Sequence, residues 1–468
     1  MTSISRRRLI AAMLAGTTLS SLPAWALGQQ FDVIVVGSGA SGLTAAIRAA
    51  EGGARVLVLE ANHWIGGASR VATGIFGCAG HPIQQRLGIT TTPEDLYRLY
   101  IGTAAATNTQ ADPEAARILA DGAIGAADWL ASLGVEWSQK KAQPFFLNIK
   151  EGHRLGELMI PALEKRARAL GVTLKTAHRV EQLLLADGHL TGVSARTPQG
   201  SENFSSRAVI LATGGFEANA DMISQYIGGG WEKARLYCTP TNRGDGQRMA
   251  KAVGATLTDM TVFKANPLVM LAKNGNKYNL VDVVRQGGIV VNQSGLRFLN
   301  EAGGYAQSLK IWATPERKAW LLFGEPVVNA TPRLHELVRD GSILKADSLP
   351  ALASLINVPL EALEKTLSTY KSAVDSGKDA AFGRKALSWS FGGAYYAARI
   401  EPMMQGTFGG VKTNVHTEVL TQAGKVIPGL FAVGECAAVG LRGVNPQTAN
   451  IVFGSIAGQR AANFIHQL

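Results

Sequence analysis

Residues 31–60 contain an apolar run, a glycine-rich turn and a helix-forming stretch in immediate succession, and this order constrains the fold more than any other feature of the chain. The run Phe31–Val36 is continuous and mostly β-branched, which is typical of a buried strand in a parallel sheet. Three glycines follow it in the spacing G-x-G-x-x-G, and residues 43–50 then have helical periodicity. A second apolar run ends at Glu60. The pattern predicts a β-α-β unit that binds a dinucleotide.

Each part of this pattern has a physical role. Gly37 permits the tight turn, Gly39 lets a pyrophosphate approach the backbone, and Gly42 lets the helix pack against the strand. The N-terminus of the helix supplies N–H groups and the positive end of the helix dipole. Glu60 follows about 20 residues after the turn and is placed to accept hydrogen bonds from ribose hydroxyls.

Composition and charge exclude several other classes. The chain has 468 residues, of which 46% are apolar and 17% charged, as in globular proteins. Its three cysteines lie far apart with no C-x-x-C pair, which argues against zinc, iron–sulfur, attached haem and disulfide frameworks. The net charge of +11 is spread without a basic block, so we expect no nucleic-acid binding. No Cys, His and Asp residues cluster with the spacing of metal ligands, so we expect no metal site.

Residues 1–26 predict an export signal. The basic cluster Arg6–Arg8 is followed by a mildly apolar stretch and by Ala24-Trp25-Ala26, the order of a secretory signal. Residues 5–10 resemble the twin-arginine motif, which exports folded proteins; the alternative is a frayed basic tail. No other run approaches the ~20 apolar residues of a membrane span. We therefore expect a periplasmic mature chain without a membrane span.

Three further segments favour FAD over NAD. Residues 61–69 contain a Gly-Gly pair followed by small polar residues, which resembles the second FAD loop of flavoproteins with two dinucleotide domains. Residues 208–216 end in the A-T-G-G turn of such flavoproteins, and residues 429–435 end in the Gly-Glu that lies beside their ribityl chain. Flavoproteins of this type that attach FAD covalently carry a His soon after the second loop, and this His forms the bond to the flavin. Because residues 70–80 contain no His, we expect FAD to be bound non-covalently.

Together with residues 244–246, 287–301 and 453–458, these motifs resemble the flavoprotein subunit of the fumarate reductase and succinate dehydrogenase superfamily. The soluble flavocytochrome-type fumarate reductases and the 3-ketosteroid Δ1-dehydrogenases are the most similar branches. The resemblance implies an α/β fold: a Rossmann-like FAD-binding domain of the glutathione-reductase type, with an inserted α+β capping domain. The expected divisions are 1–26 for the signal, 27–258 and 390–468 for the FAD-binding domain, and 259–389 for the capping domain.

The resemblance also implies a set of cofactor contacts. The residues expected to contact FAD are Gly37, Gly39, Ala40, Ser41, Gly42, Glu60, Ala61, Gly67, Ala68, Ser69, Thr73, Gly74, Val180, Ala212, Thr213, Gly214, Asp245, Glu435, Gln447 and Thr448. The last two begin a helix behind Asn445 and Pro446, a favourable cap and first helical residue. Its N-terminus is expected to face the flavin and to stabilise negative charge on it.

The family's chemistry implies a catalytic set. In the fumarate reductases, hydride passes between flavin N5 and a carbon β to a carboxylate, and an Arg fed by a Glu and a second Arg delivers the proton. Arg285 occupies the position of the second Arg and Asp282 the position of the Glu. Tyr305 occupies the position of the proton-donating Arg. The ketosteroid dehydrogenases also have a Tyr there. A Tyr can transfer a proton but cannot clamp a carboxylate by charge.

Other positions that recognise dicarboxylates in the family also differ. Asn266 and Gln405 replace histidines, and Arg442 has an ambiguous spacing. We therefore expect an exported FAD oxidoreductase that reduces or desaturates a C–C bond next to a carbonyl, with Tyr305 handling the proton. The alternatives are a fumarate reductase-like enzyme of a small unsaturated carboxylate and a non-catalytic flavin electron carrier. Because haem motifs are absent, we expect a separate cytochrome or quinone-linked electron partner.

Overall fold

The computed structural model of the protein describes residues 31–106, 111–438 and 446–467. The expected export signal and Arg442 lie outside the described residues. The described chain is a mixed α/β fold with two six-stranded sheets and three sheets of three strands. No helix in these ranges is long and apolar enough to cross a membrane.

The described strands differ in length from two to 13 residues. In chain order they are β1 (Val33–Val36), β2 (Val56–Leu59), β3 (Ile75–Gly77), β4 (Trp137–Gln143), β5 (Phe146–Ile149), β6 (Thr173–Lys175), β7 (Arg179–Ala186), β8 (His189–Thr197), β9 (Gly200–Ser205), β10 (Ala208–Leu211), β11 (Leu257–Thr258), β12 (Phe263–Leu271), β13 (Lys277–Asn279), β14 (Ile289–Val291), β15 (Ala319–Gly324), β16 (Ile343–Ala346), β17 (Tyr395–Thr407), β18 (Gly410–Lys412), β19 (Glu418–Leu420), β20 (Val426–Ala432) and β21 (Ala437–Ala438).

The described α-helices are α1 (Ala40–Glu51), α2 (Pro82–Arg86), α3 (Pro93–Ala106), α4 (Pro113–Ser132), α5 (Leu155–Ala169), α6 (Ala220–Tyr226), α7 (Asp245–Ala252), α8 (Val281–Arg285), α9 (Gln307–Trp312), α10 (Glu325–Ala330), α11 (Arg333–Arg339), α12 (Leu349–Leu355), α13 (Leu360–Ser376) and α14 (Pro446–His466). Short 3₁₀ helices span Gly67–Val71, Trp231–Lys233, Gly304–Ala306 and Gly434–Cys436.

The first six-stranded sheet has the order β19-β20-β10-β1-β2-β6, and β1 pairs in parallel with both β2 and β10. All four residues of β1 are buried, because both faces of the sheet are covered. Val33 and Val35 pack in the core that contains residues of α1, α5 and α14. Ile34 and Val36 pack in a second core with residues of β7, β8 and β9. The predicted apolar run is therefore the central strand of a parallel sheet between two layers.

The second six-stranded sheet is organised around β17, the longest described strand. The first half of β17 pairs with β15 and β16, and its second half pairs with β12, all antiparallel. The resemblance predicts that residues 390–468 belong to the FAD-binding domain. This strand instead joins the sheet of the expected capping segment, because it supplies the edges to which β12, β15 and β16 bond. The domain limits themselves stay a prediction.

A buried network of charges supports the loop that follows β14. Arg297 donates from Nε to Glu301 Oε1 at 2.9 Å and from Nη2 to Glu301 Oε2 at 2.8 Å, and Nη2 also contacts Asp379 at 3.0 Å. Arg384 donates to Glu301 Oε2 at 3.4 Å and to the carbonyl oxygen of Gly288 at 2.9 Å. Burial opposes ionisation of Asp379, but its pairing with Arg297 holds the pKa of that carboxyl below its usual value.

We predict that Glu301→Gln strongly destabilises the protein. Removing one charge of a buried network leaves the opposite charges uncompensated, which costs about 3–5 kcal/mol. Thermal unfolding of the FAD-loaded protein, followed by circular dichroism, should show a fall in Tm of several degrees. The matched control is Glu364→Gln on α13, whose side chain is exposed and should change stability by less than about 0.5 kcal/mol. Equal melting temperatures of the two variants would contradict the prediction.

Candidate functional site

A cavity of about 1130 Å³ is lined by residues of both six-stranded sheets. The first sheet contributes Val36, Leu59 and Ala212 to the lining, and these residues lie at or just beyond the carboxyl ends of β1, β2 and β10. The second sheet contributes Lys264 from β12 and Gln405 from β17 to the lining. The carboxyl ends of parallel strands are the usual ligand sites of α/β sheets. The volume exceeds the ~300–1,000 Å³ of ordinary small-molecule pockets.

The turn after β1 brings backbone segments into close contact. Gly37 has a φ of +106°, and a Cβ there would lie 2.4 Å from the carbonyl oxygen of Ala212. A Cβ at Gly42 would lie 2.1 Å from the carbonyl oxygen of Gly37. Only glycine avoids both collisions. Helix α1 therefore starts directly behind the turn and faces the cavity with its N-terminus.

Hydrogen bonds of the chain itself fix Glu60 at the end of β2. Ser38 donates to Glu60 Oε2 from its backbone N at 3.0 Å and from Oγ at 2.5 Å. Asn62 donates to Glu60 Oε1 from its backbone N at 2.8 Å and from Nδ2 at 2.9 Å. Ser38 Oγ also accepts from the backbone N of Gly66 at 3.0 Å. This network joins the glycine turn to the second predicted loop and holds the carboxylate in the cavity wall.

A second helix also begins at the cavity. Pro446, Gln447 and Asn450 of α14 line it, and Thr448 Oγ1 donates to the carbonyl oxygen of Gly77 at 2.9 Å. The helix spans 21 residues, so its N-terminus carries the positive end of a long dipole. The N-termini of α1 and α14 therefore face the same cavity, where they favour a ligand with negative charge at two places.

Most of the residues expected to contact FAD line this cavity. They are Gly37, Gly39, Ser41, Glu60, Ala61, Gly67, Ala68, Ser69, Thr73, Val180, Ala212, Thr213, Gly214, Asp245, Glu435 and Gln447. Four expected residues are not in the lining: Ala40, Gly42, Gly74 and Thr448. The backbone N of Ala40 donates to Ser69 Oγ at 3.2 Å, and Gly42 and Thr448 make the backbone contacts given above. A glycine turn without Cβ atoms, a fixed carboxylate and two helix N-termini fit an FAD.

The catalytic set expected from the resemblance is only partly brought together. Tyr305 lines the cavity and its side chain is 47% exposed. Asp282 and Arg285 do not line it. Both lie on α8, where Val283 and Val284 face the core of the second sheet, so positions 282 and 285 are turned away from that core. Arg285 is exposed, and Asp282 accepts a hydrogen bond from Arg333 at 2.5 Å instead of contacting Tyr305. The expected proton relay is not assembled in this structure.

The three expected substrate positions have different surroundings. Gln405 lines the cavity, and its Oε1 is buried without a hydrogen-bond partner in the described chain. Asn266 is buried outside the lining, and its Oδ1 accepts from the backbone N of Leu268 at 3.0 Å. It therefore acts as a local backbone support. Arg442 lies outside the described residues. The described chain holds no group of three His, Cys, Asp or Glu that could bind a metal.

The cavity lining also contains residues that the sequence motifs did not predict, above all Lys264 and Phe408. In a regular strand Lys264 and Asn266 would share a face, but the pairing of β12 with β17 is shifted between Lys264 and Ala265. Lys264 consequently lines the cavity and Asn266 does not. The sequence signal was a Lys two residues before a family substrate position. Further aromatic and basic residues in the lining are Tyr237, Tyr278, Arg154, Lys277 and Arg333.

Two carboxyl groups lie close together beside the cavity. Glu217 is 3% exposed, accepts from Asn242 Nδ2 at 2.7 Å, and lies 3.5 Å from Thr407 Oγ1. Glu435 lies in the cavity wall. Burial, reinforced by the charge of Glu435, raises the pKa of Glu217 to about 8. Burial also raises the pKa of Glu435, against the opposing charge of Lys264. Burial therefore favours the protonated form of Glu217.

We predict that Glu217→Gln changes the pH dependence of stability. With a folded pKa of about 8 and an unfolded value near ~4.3, Glu217 ionises more readily in the unfolded chain between these limits. The contribution of protonated Glu217 to the free energy of unfolding is complete below the unfolded pKa, and it is lost as the pH rises through 8. Gln mimics the protonated acid and does not titrate. The Tm of the variant should therefore rise relative to the parent from pH 5 to pH 8, whereas Glu364→Gln should show no such trend. A constant difference would mean that Glu217 is ionised at neutral pH.

Comparison with known proteins connects this geometry to a family. Residues 32–452 match the family described as FAD binding domain. The chain is 30% identical over 453 residues to the fumarate reductase (cytochrome) of Shewanella frigidimarina, covering 92% of this chain and 77% of that protein.

Solved structures agree with the sequence match. An open conformation of a flavocytochrome c3 fumarate reductase superposes with a TM-score of 0.79 at 27% identity, over 99% of this chain and 82% of that one. The 3-ketosteroid Δ1-dehydrogenase of Sterolibacterium denitrificans has the same fold, with a TM-score of 0.79 at 21% identity over 93% of this chain and 100% of that one. The chain therefore belongs to the flavoproteins of the fumarate reductase and succinate dehydrogenase superfamily, and it is an FAD-dependent oxidoreductase that acts on CH–CH groups.

Proposed function

We propose that the protein is an exported oxidoreductase that reduces or desaturates a C–C bond adjacent to a carbonyl, with Tyr305 as the acid/base. The observation that carries this proposal is that Tyr305 lines the same cavity as the glycine turn and the N-termini of α1 and α14. FAD, when bound, supplies hydride transfer to or from the carbon β to the carbonyl. The residues of the chain must then supply or remove the proton at the α carbon, which the carbonyl makes acidic.

Tyr305 is suited to that proton transfer by its position. It lies on the short 3₁₀ helix Gly304–Ala306, directly after the buried network around Glu301. The network fixes the start of the loop, while nearly half of the Tyr305 side chain remains exposed. A phenol can donate a proton to a substrate carbon and recover it from water. Because Asp282 and Arg285 lie outside the cavity lining, we place the exchange of that proton at the cavity opening rather than through those two residues.

The second candidate is a fumarate reductase-like enzyme that acts on a small unsaturated carboxylate. It is favoured by the basic side chains in the lining, which include Arg154, Lys264 and Arg333. Against it, Arg333 is already paired with Asp282, and Tyr305 and Gln405 carry no positive charge, so a dicarboxylate clamp would depend on Lys264 and on the exposed Arg154, whose contact with Glu157 is 3.9 Å long. The first proposal needs only one charge or none, and therefore agrees better with the site.

The remaining parts of the proposal concern export and electron supply. Residues 1–26 support export by the twin-arginine pathway, and the basic cluster Arg6–Arg8 is its recognition element. A separate cytochrome or quinone-linked partner would exchange electrons with the flavin. The FAD-binding domain is proposed to be of the glutathione-reductase type, which the parallel sheet and the turn after β1 support.

Non-covalent attachment of FAD gives a direct prediction. Val71, Ala72 and Thr73 follow the second loop in the cavity lining, and no residue between 70 and 80 is a His. His178, the only His in the described lining, bonds through Nδ1 to the carbonyl oxygen of Thr176 at 2.6 Å. Acid precipitation should therefore release all of the flavin into the supernatant, as measured by its absorbance. Flavin that stays in the washed pellet would contradict this.

We predict that Tyr305→Phe abolishes turnover and leaves FAD bound. The change removes one hydroxyl and little volume, so the fold should persist, whereas loss of an acid/base group typically slows reactions about 100- to 10,000-fold. The assay is turnover of enones, enoates and saturated ketones by FAD-loaded protein with an artificial electron carrier. Tyr278→Phe is the matched control, because it removes a second phenol from the same lining that has no proposed proton role.

The possible outcomes separate the function from its mechanism. Turnover by the parent and by Tyr278→Phe, but not by Tyr305→Phe, supports both. Full activity of Tyr305→Phe would transfer the proton role to another group, and Tyr237 would be the next phenol of the lining to substitute. No turnover of any of these substrates by the FAD-loaded parent would refute the proposed function itself.

A further inference from the structure

Lys264 differs from every other basic residue that lines the cavity. The described lining contains five Lys and Arg residues, and four of them have an oxygen acceptor within 4 Å. Arg154 contacts Glu157, Arg179 contacts Asp245, Lys277 contacts the carbonyl oxygen of Leu236, and Arg333 contacts Asp282. Lys264 Nζ has no such acceptor within the described ranges. An ammonium group carries three donors and no acceptor, so Lys264 can donate to a ligand in the cavity. Among the described residues of the lining, Lys264 is therefore the cation whose donors are all available to a ligand.

The surroundings of Lys264 are aromatic. Its Nζ lies 5.6 Å from the ring centroid of Tyr305 and 5.6 Å from that of Phe408. Both rings are in the cavity lining, and both are within the distance at which a cation is attracted by a ring face. These contacts hold the ammonium in place without using its hydrogen-bond donors on an oxygen. A ligand that meets Lys264 therefore also meets two aromatic rings.

Glu435 is the residue that could be expected to neutralise Lys264, and the geometry argues against a direct pair. Gly406 lies opposite Lys264 in the pairing of β12 with β17. A Cβ on Gly406 would be 3.3 Å from Glu435 Oε1 and 3.7 Å from Lys264 Cε. The two side chains thus flank Gly406 without forming an ion pair. The charge of Lys264 partly offsets the raised pKa of Glu435, but the ammonium donors remain unoccupied.

We infer that Lys264 binds the carboxylate of a planar, conjugated monocarboxylate whose aromatic part lies beside Tyr305 and Phe408. This inference rests on the proposed function and names its substrate class, an aryl-conjugated enoate. Within the described lining, a single carboxylate matches Lys264, the one Lys or Arg there without an oxygen acceptor within 4 Å, whereas the second charge of a dicarboxylate would meet cations that each already contact an oxygen.

The test measures binding by isothermal titration calorimetry to oxidised, FAD-loaded protein, with cinnamate, uncharged cinnamamide, aliphatic crotonate and fumarate as probes. The parent should bind cinnamate more tightly than each of the other three. Lys264→Met should weaken cinnamate binding about 10- to 100-fold, the effect of losing a charged hydrogen bond, and should leave cinnamamide binding unchanged. Lys264→Arg should retain most of the affinity for cinnamate.

A matched control removes a charge elsewhere on the same domain. Lys310→Met on α9 alters an exposed Lys that is outside the cavity lining, and it should bind all four probes like the parent. FAD content and Tm of each variant are measured first. If Lys264→Met does not retain FAD, the comparison of cinnamate with cinnamamide in Lys264→Arg and in the parent decides, because a preserved preference for cinnamate supports the inference and a lost preference overturns it.

The outcomes also separate this inference from the proposed function. Cinnamate binding that depends on Lys264, without turnover of any enone or enoate, would support the subsite and refute the function. Turnover of uncharged enones that Lys264→Met does not alter, with no preference for cinnamate over cinnamamide, would support the function and overturn the subsite. Tighter binding of fumarate or crotonate than of cinnamate, or no binding of any probe, would also overturn the subsite.

Discussion

The close approach of the turn after β1 to the turn after β10 is the constraint on which the site depends. The carbonyl oxygen of Ala212 occupies the space that a Cβ at Gly37 would need, and the carbonyl oxygen of Gly37 occupies the space of a Cβ at Gly42. These contacts set α1 directly against the sheet and leave the strand ends open. The same turn carries Ser38, which bonds to Glu60 and to the backbone of Gly66. A larger residue at either glycine would displace the helix, the carboxylate and the second loop together.

The substrate end of the cavity depends on the second sheet and on how β17 joins it to the first. Thr407, the last residue of β17, accepts from the backbone N of Phe216 at 3.0 Å, and it lies against Glu217. One strand end therefore contacts the loop after β10 while the same strand pairs with β12. The buried charges around Glu301 stabilise the loop that carries Tyr305 onto this side. The cavity is accordingly formed by two separate sheets, and the residues of its two ends have different origins in the chain.

Local motifs predicted the glycine turn, the helix behind it and the position of Glu60, because such motifs are short and have strict steric requirements. The spacing of Gly37, Gly39 and Gly42 and the acid at position 60 each follow from one turn and two adjacent strands, so no distant part of the chain is needed to interpret them. The substrate end was predicted less well. Arg285 and Asp282 were assigned by their offset from a family motif, but an offset along the chain does not specify which face of α8 meets the cavity.

The sequence by itself determined that residues 31–60 form a β-α-β unit of the dinucleotide-binding type and that later segments return to the same site. These properties depend on backbone sterics and on residue type, which the sequence states directly. Only the tertiary structure decided which cation faces the cavity without a partner. The bulge beside Lys264 and the pairing of Arg333 with Asp282 arise from contacts between segments distant in the chain. Such contacts follow from how the two sheets pack, and no local pattern encodes them.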